Sequence, residues 1–216
     1  LGECYENGYG GEVDLSHAFQ LSQSAYERGY APATCALGVC YEFGDGVEMD
    51  KVRAVELYRQ AARQGIIRAQ CNLGYCYYQG IGVEESNEEA AKWFTEAAQR
   101  GSARARHLLG ECYENGYGVE KDPAQAASWY RQAHQQSYAP ATCALGLCYE
   151  MGRGVMEDKT KAVEYYRRSA ENGSVTAMCN LGYCYYTGIG VEENDEEAVK
   201  WFRKAAGQDY AEAAYC

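Results

Sequence analysis

The dipeptide Leu-Gly recurs at Leu1-Gly2, Leu37-Gly38, Leu73-Gly74, Leu109-Gly110, Leu145-Gly146 and Leu181-Gly182, a period of 36 that divides all 216 residues without remainder. A period of that length restricts the chain to a stack of small units, none able to bury its apolar face alone, each using its neighbours to complete its core. Cut at that dipeptide, the six units fall at 1–36, 37–72, 73–108, 109–144, 145–180 and 181–216, and they predict one elongated repeat domain. A longer rhythm lies above it. Residues 1–108 and 109–216 are identical at more than half of their aligned positions, residues 30–38 matching residues 138–146 throughout, so three repeats were copied as a block.

Within one unit the apolar residues recur at helical spacing, as in residues 69–78, which we name helix A. It ends at a glycine present in every copy (Gly8, Gly44, Gly80, Gly116, Gly152, Gly188), followed two residues later by a second (Gly10, Gly46, Gly82, Gly118, Gly154, Gly190). The first suits a left-handed residue closing a helix, and the pair suits a tight turn. Helix B then opens on Asp14, Asp50, Ser86, Asp122, Asp158 or Asn194, residue types whose side chains accept a hydrogen bond from a first-turn amide. Residues 88–98 exemplify it, with acid at the start, where the helix dipole favours it. The glycine of each Leu-Gly costs about 1 kcal/mol in a helix interior. Close approach of helix B compensates, with Ala18, Ala54, Ala90, Ala126, Ala162 and Ala198 expected to fill the matching slot.

The formal charge of −11 and the pI near 4.8 oppose binding to nucleic acid or to anionic membrane surfaces. No apolar run is long enough to span a bilayer. The chain starts at Leu1 and stops at Cys216, inside helix A segments, and reads as a window on a longer array.

The pattern Ala-x-x-x-Leu-Gly-x-x-Tyr-x-x-Gly-x-Gly-Val, best seen over residues 69–83 and 177–191, followed by a cap and an aromatic Ala-Ala helix, closely resembles the Sel-one-like repeat family, relatives of the tetratricopeptide repeats. The resemblance implies an all-α fold, an α/α solenoid in which six helix-turn-helix repeats of 36 residues wind as a right-handed superhelix. It further implies that helix A lines the concave wall and that the protein serves as an adaptor or scaffold. The departures are Gly11 for Val, Ser22 for an aromatic residue, and Ser137 and Asp209 for the glycine after helix B.

Eleven cysteines invite a reading as metal ligands or disulfides. Six share one position (Cys4, Cys40, Cys76, Cys112, Cys148, Cys184), and Cys35, Cys71, Cys143 and Cys179 each lie five residues before one of them. Residues five apart on a helix point about 140° away from each other. Buried free thiols are therefore the leading expectation, with inter-repeat disulfides the alternative, and the odd count agrees with a reducing, cytoplasmic setting. His17, His107 and His134 recur with no partner, so no catalytic set, metal site or cofactor is expected.

The informative variation lies along helix A. Asn72, Tyr75 and Gln79 are spaced three then four and share a face; their counterparts read Leu108, Glu111, Asn115 in the fourth repeat, Ala144, Leu147, Met151 in the fifth and Asn180, Tyr183, Thr187 in the sixth. Residues released from the packing rule can be a solvated face or a partner surface. The Tyr and Asn among them favour a groove for an extended peptide or a partner helix, lined by Asn72, Tyr75, Gln79, Glu111, Asn115, Asn180 and Tyr183. The competing expectation is structural: both ends carry apolar helix A segments without polar caps, so molecules could assemble head to tail into a filament, Cys216 against Leu1.

Overall fold

A computed structural model describes residues 14–208, among which lie eleven α-helices and no strand. The chain divides into two compact units, Leu1–Ser102 and Ala103–Cys216. The first unit holds α1 (Leu15–Glu27), α2 (Ala31–Phe43), α3 (Lys51–Arg63), α4 (Ile67–Gln79) and α5 (Asn87–Gln99). The second holds α6 (Ala103–Asn115), α7 (Pro123–His134), α8 (Ala139–Met151), α9 (Lys159–Glu171), α10 (Val175–Thr187) and α11 (Asp195–Gln208). In each unit every helix packs on the one before it and the one after it, the tightest pairs being helix A with the helix B of its own repeat. The expected filament contact rests on Leu1 and Cys216, which lie outside the described residues.

Local chemistry sets the helix ends where the sequence places them. Asp14, Asp50, Ser86, Asp158 and Asn194 each accept a hydrogen bond from the amide three residues on, and Asp122 accepts from Ala124 and Gln125. Each such cap stabilises its helix by about 1 kcal/mol. Gly44, Gly80, Gly152 and Gly188 close α2, α4, α8 and α10 in the left-handed region, with φ of 79°, 66°, 66° and 70°. The amide of the next helix B cap then returns to helix A, Ser86 N donating to Tyr77 O at 2.9 Å and Asp158 N to Tyr149 O at 2.8 Å. Ser137, one of the departures noted above, holds φ 59° where the other described repeats have glycine.

The mid-helix glycines are compensated chiefly by aromatic rings of helix B, and at Gly74 the expected alanine also approaches, Ala90 O standing 3.3 Å from a Cβ placed there. A Cβ on Gly38 would stand 2.6 Å from the Tyr58 ring, one on Gly74 2.7 Å from Phe94 and one on Gly182 2.7 Å from Phe202; Gly110 and Gly146 face Tyr130 and Tyr166 in the same way. The glycine thus admits an aromatic ring from helix B, buried at Tyr58, Phe94, Tyr130 and Tyr166. The alanines, Ala54, Ala90, Ala126, Ala162 and Ala198, are buried beside it. The reason is volume: an aromatic ring covers more apolar area than an alanine methyl and supplies the larger share of the core.

The buried tyrosines follow a rule of their own. Tyr58 donates to Glu42 at 2.5 Å, Tyr130 to Glu114 at 2.8 Å and Tyr166 to Glu150. Where helix B carries Phe94 or Phe202, the glutamate position carries Tyr78 or Tyr186. A phenol in the core needs an acceptor and a ring without a hydroxyl does not. Tyr166→Phe strands the part-buried Glu150 and is expected to cost about 2 kcal/mol in urea unfolding. Adding Glu150→Tyr recreates the pair found at Tyr78 and Phe94 and recovers most of that loss.

Candidate functional site

The proposed partner-facing residues divide between the units, three in the first and four in the second. On α4, Asn72 and Tyr75 are half-buried and Gln79 is exposed. Tyr75 lies 6.4 Å from Tyr78 between ring centroids, so the aromatic surface of this helix is wider than its 3-4 spacing suggests. In the second unit Glu111 and Asn115 belong to α6, Asn180 and Tyr183 to α10, and the three helices α7, α8 and α9 separate them in the packing order.

Several of these side chains already have structural work. Asn115 Nδ2 donates to Glu111 O at 3.0 Å within its own helix, and Asn180 Nδ2 reaches Cys143 Sγ at 3.6 Å across the repeat boundary. Glu111 sits 3.5 Å from His107 Nε2, and burial raises its carboxyl above the usual range, with Glu114 adding to the effect. Tyr183 is 53% exposed, and Tyr186, which the sequence reading omitted, is exposed beside it. Tyr78 and Tyr186 were detectable as the two tyrosines at a position otherwise held by glutamate.

The histidines serve as links between helices. His134 Nδ1 lies 2.9 Å from Thr142 Oγ1, and its Nε2 lies 3.3 Å from Arg168 Nη1. A guanidinium only donates, so Nε2 accepts and the proton sits on Nδ1. His107 takes the place that Cys35, Cys71, Cys143 and Cys179 hold in other repeats, with its ring 5.5 Å from Tyr130 and 5.7 Å from Tyr138. Burial pushes it down to about 4 against the opposing pull of Glu114, so its approach to Glu111 is that of an uncharged ring.

Cys35, Cys76, Cys112, Cys143, Cys148 and Cys184 are free and buried, as the spacing predicts, and Cys40 and Cys71 are buried as well. Cys179 departs from that expectation and is disulfide-bonded. Burial raises Cys35 to about 11 and Cys76, Cys112, Cys143, Cys148 and Cys184 to about 12, so these thiols stay protonated at neutral pH and pack as small apolar groups. Among the described residues no group of three His, Cys, Asp or Glu side chains could hold a metal ion, and no helix is long and apolar enough to cross a membrane.

The Sel1 repeat family model matches six times, at residues 1–30, 31–66, 67–102, 103–138, 139–174 and 175–210. A Sel1 repeat protein from Oxalobacter formigenes is 36% identical over 94% of this chain and 82% of its own, with a TM-score of 0.87. A protective antigen present in uropathogenic Escherichia coli strains and displaying an SLR fold is 35% identical, with a TM-score of 0.82; the match covers 99% of this chain and 46% of the antigen, so the chain spans under half of that relative's length. A putative Sel1 repeat protein from Klebsiella pneumoniae shares the fold at 21% identity, over 91% of this chain and 96% of its own, with a TM-score of 0.61. No curated protein sequence matches the chain. Sel1 repeat proteins are in general non-catalytic helical scaffolds for protein interaction. With six matched repeats and an all-α solenoid fold, this chain belongs to the Sel1 repeat family.

Proposed function

We propose that this chain is a non-catalytic interaction scaffold that holds an extended peptide or a partner helix against the helix A face of its repeats. The observation that carries the reading is the aromatic surface left on that face, Tyr75 beside Tyr78 on α4 and Tyr183 with Tyr186 on α10, whereas the helix B rings Tyr58, Phe94, Tyr130 and Tyr166 are spent on the core. Aromatic side chains supply contact area at small entropic cost and dominate binding energies at interfaces. Asn72, Gln79, Glu111, Asn115 and Asn180 complete the lining in this reading. Asn115 and Asn180 each commit one amide N–H within the fold, which leaves the second N–H and the amide oxygen for a peptide backbone.

The test selects binders from a displayed library of random peptides and measures their affinity for Tyr75→Ala and Tyr183→Ala variants. A loss of about tenfold or more with unchanged helical circular dichroism is the expected result. Selected peptides that bind both variants as tightly as the parent overturn the assignment of this face.

A further inference from the structure

The turn joining helix A to helix B differs between repeats in a way that packing does not require. Where α2 runs into α3 the chain carries Met49 and Val52; the same positions hold Glu85, Lys121, Glu157 and Glu193, and Glu88, Ala124, Thr160 and Glu196, in the other described repeats. The backbone is common to all of them. A Cβ on the left-handed glycine would lie near the Cβ of Met49 at Gly44, of Glu85 at Gly80, of Lys121 at Gly116, of Glu157 at Gly152 and of Glu193 at Gly188. Beyond that contact a charged side chain serves the fold as well as an apolar one. Yet Met49 is 57% exposed, Val52 60% and the preceding Phe43 66%. Met49 and Val52, with Tyr41 and Val47, line an open groove of about 670 Å3 in the first unit.

We propose that this turn is a docking surface for an amphipathic segment of a partner protein, one whose apolar side chains are flanked by lysine or arginine. The apolar floor supplies the burial, and methionine, unbranched and polarisable, adapts to the side chain it receives. Charge complementarity selects the flanks. Asp45, Glu48 and Asp50 rim the turn against Lys51, the neighbouring Arg53 is paired with Glu56 at 2.7 Å, and the net charge of −11 draws basic segments toward the chain. The block copy of this turn in the second unit is a separate observation pointing the same way. There Met151 replaces Phe43, and Met156, 88% exposed, replaces Glu48. Three of the four methionines of the chain therefore lie exposed at these two turns, and the fourth, Met178, is fully buried in α10. In the second unit Arg153 and Lys159 balance Glu157 and Asp158, so a basic segment binds that copy more weakly.

The methionines themselves report the outcome. The intact chain, labelled with 13C at the methionine methyls, is titrated with a helical peptide of about 14 residues built from leucine and lysine, and separately with its leucine–glutamate counterpart of identical spacing. The expected result is a saturable shift of the Met49 methyl with the leucine–lysine peptide alone, a smaller one at Met151 and Met156, and none at Met178. Met49→Glu with Val52→Glu, which installs the residues of the third repeat, weakens that binding about tenfold or more at an unchanged melting temperature. Tyr75→Ala and Tyr183→Ala leave it intact, which separates this surface from the helix A face. The proposal is overturned if Met49 does not move, if both peptides move it equally, if Met178 moves with it, or if the double variant binds as tightly as the parent.

Discussion

Gly82→Ala is expected to destabilise the first unit by about 3 kcal/mol or more, whereas Gly80→Ala, two residues earlier, costs about 1 kcal/mol. Both glycines have positive φ, 64° and 66°, so an alanine pays similar backbone strain at either. The difference lies in what surrounds them. A Cβ on Gly80 would meet Glu85 Cβ at 3.6 Å and the backbone Glu85 N and Val83 O at 3.7 Å, all ordinary contacts. A Cβ on Gly82 would run into the Lys51 carbonyl oxygen, with Val52 N at 2.9 Å, where the turn of one repeat lies on the first turn of helix B from the repeat before. Backbone cannot swing aside as a side chain can, so the two repeats must separate. Urea midpoints measured on the two variants check this, and equal losses would show that the turn does not carry the contact between repeats.

The second large effect is acid sensitivity centred on His107. Its folded pKa is pushed down from 6.5 to about 4 by burial, so between those values the unfolded chain binds a proton that the folded chain does not. Stability therefore rises with pH across that window and falls as pH drops from 6.5 toward 4. The full contribution approaches about 3 kcal/mol at the acid end. Glu111 opposes it: its raised folded pKa makes the folded state the better proton acceptor as the carboxylate range is entered. Comparing the parent with His107→Cys, the residue the sister repeats carry, isolates the histidine. The urea midpoint of the parent should fall relative to the variant between pH 6.5 and pH 4.5, and a constant difference would place His107 in water.

The candidate site was less legible than the fold. Helical spacing put Asn72, Tyr75 and Gln79 on one face, and α4 keeps them there. The same spacing could not reveal that Asn180 turns its amide to Cys143 or that Asn115 spends its own on the carbonyl of Glu111. Those bonds depend on how far a side chain stands from a neighbouring helix or on which rotamer it takes. Tyr78 and Tyr186 stand one position off the face that Tyr75–Gln79 and Tyr183–Thr187 define, and a single methionine in a turn, such as Met49, has no period to betray it.

What the sequence determined by itself was everything that repeats every 36 residues and acts within a few residues of itself. The caps from Asp14 to Asn194 and the left-handed closure at Gly44, Gly80, Gly152 and Gly188 follow from backbone sterics, first-turn amides and helical spacing, which a single repeat already contains. Tertiary structure alone decided that the Leu-Gly glycine faces a ring such as Tyr58 or Phe94, that Tyr166 needs Glu150, and that Gly82 lies on the carbonyl of Lys51. These are distances between segments 16 to 31 residues apart, set by how deeply one helix beds into the next. A period specifies that such neighbours exist, and only the packed volumes of their side chains specify where they meet.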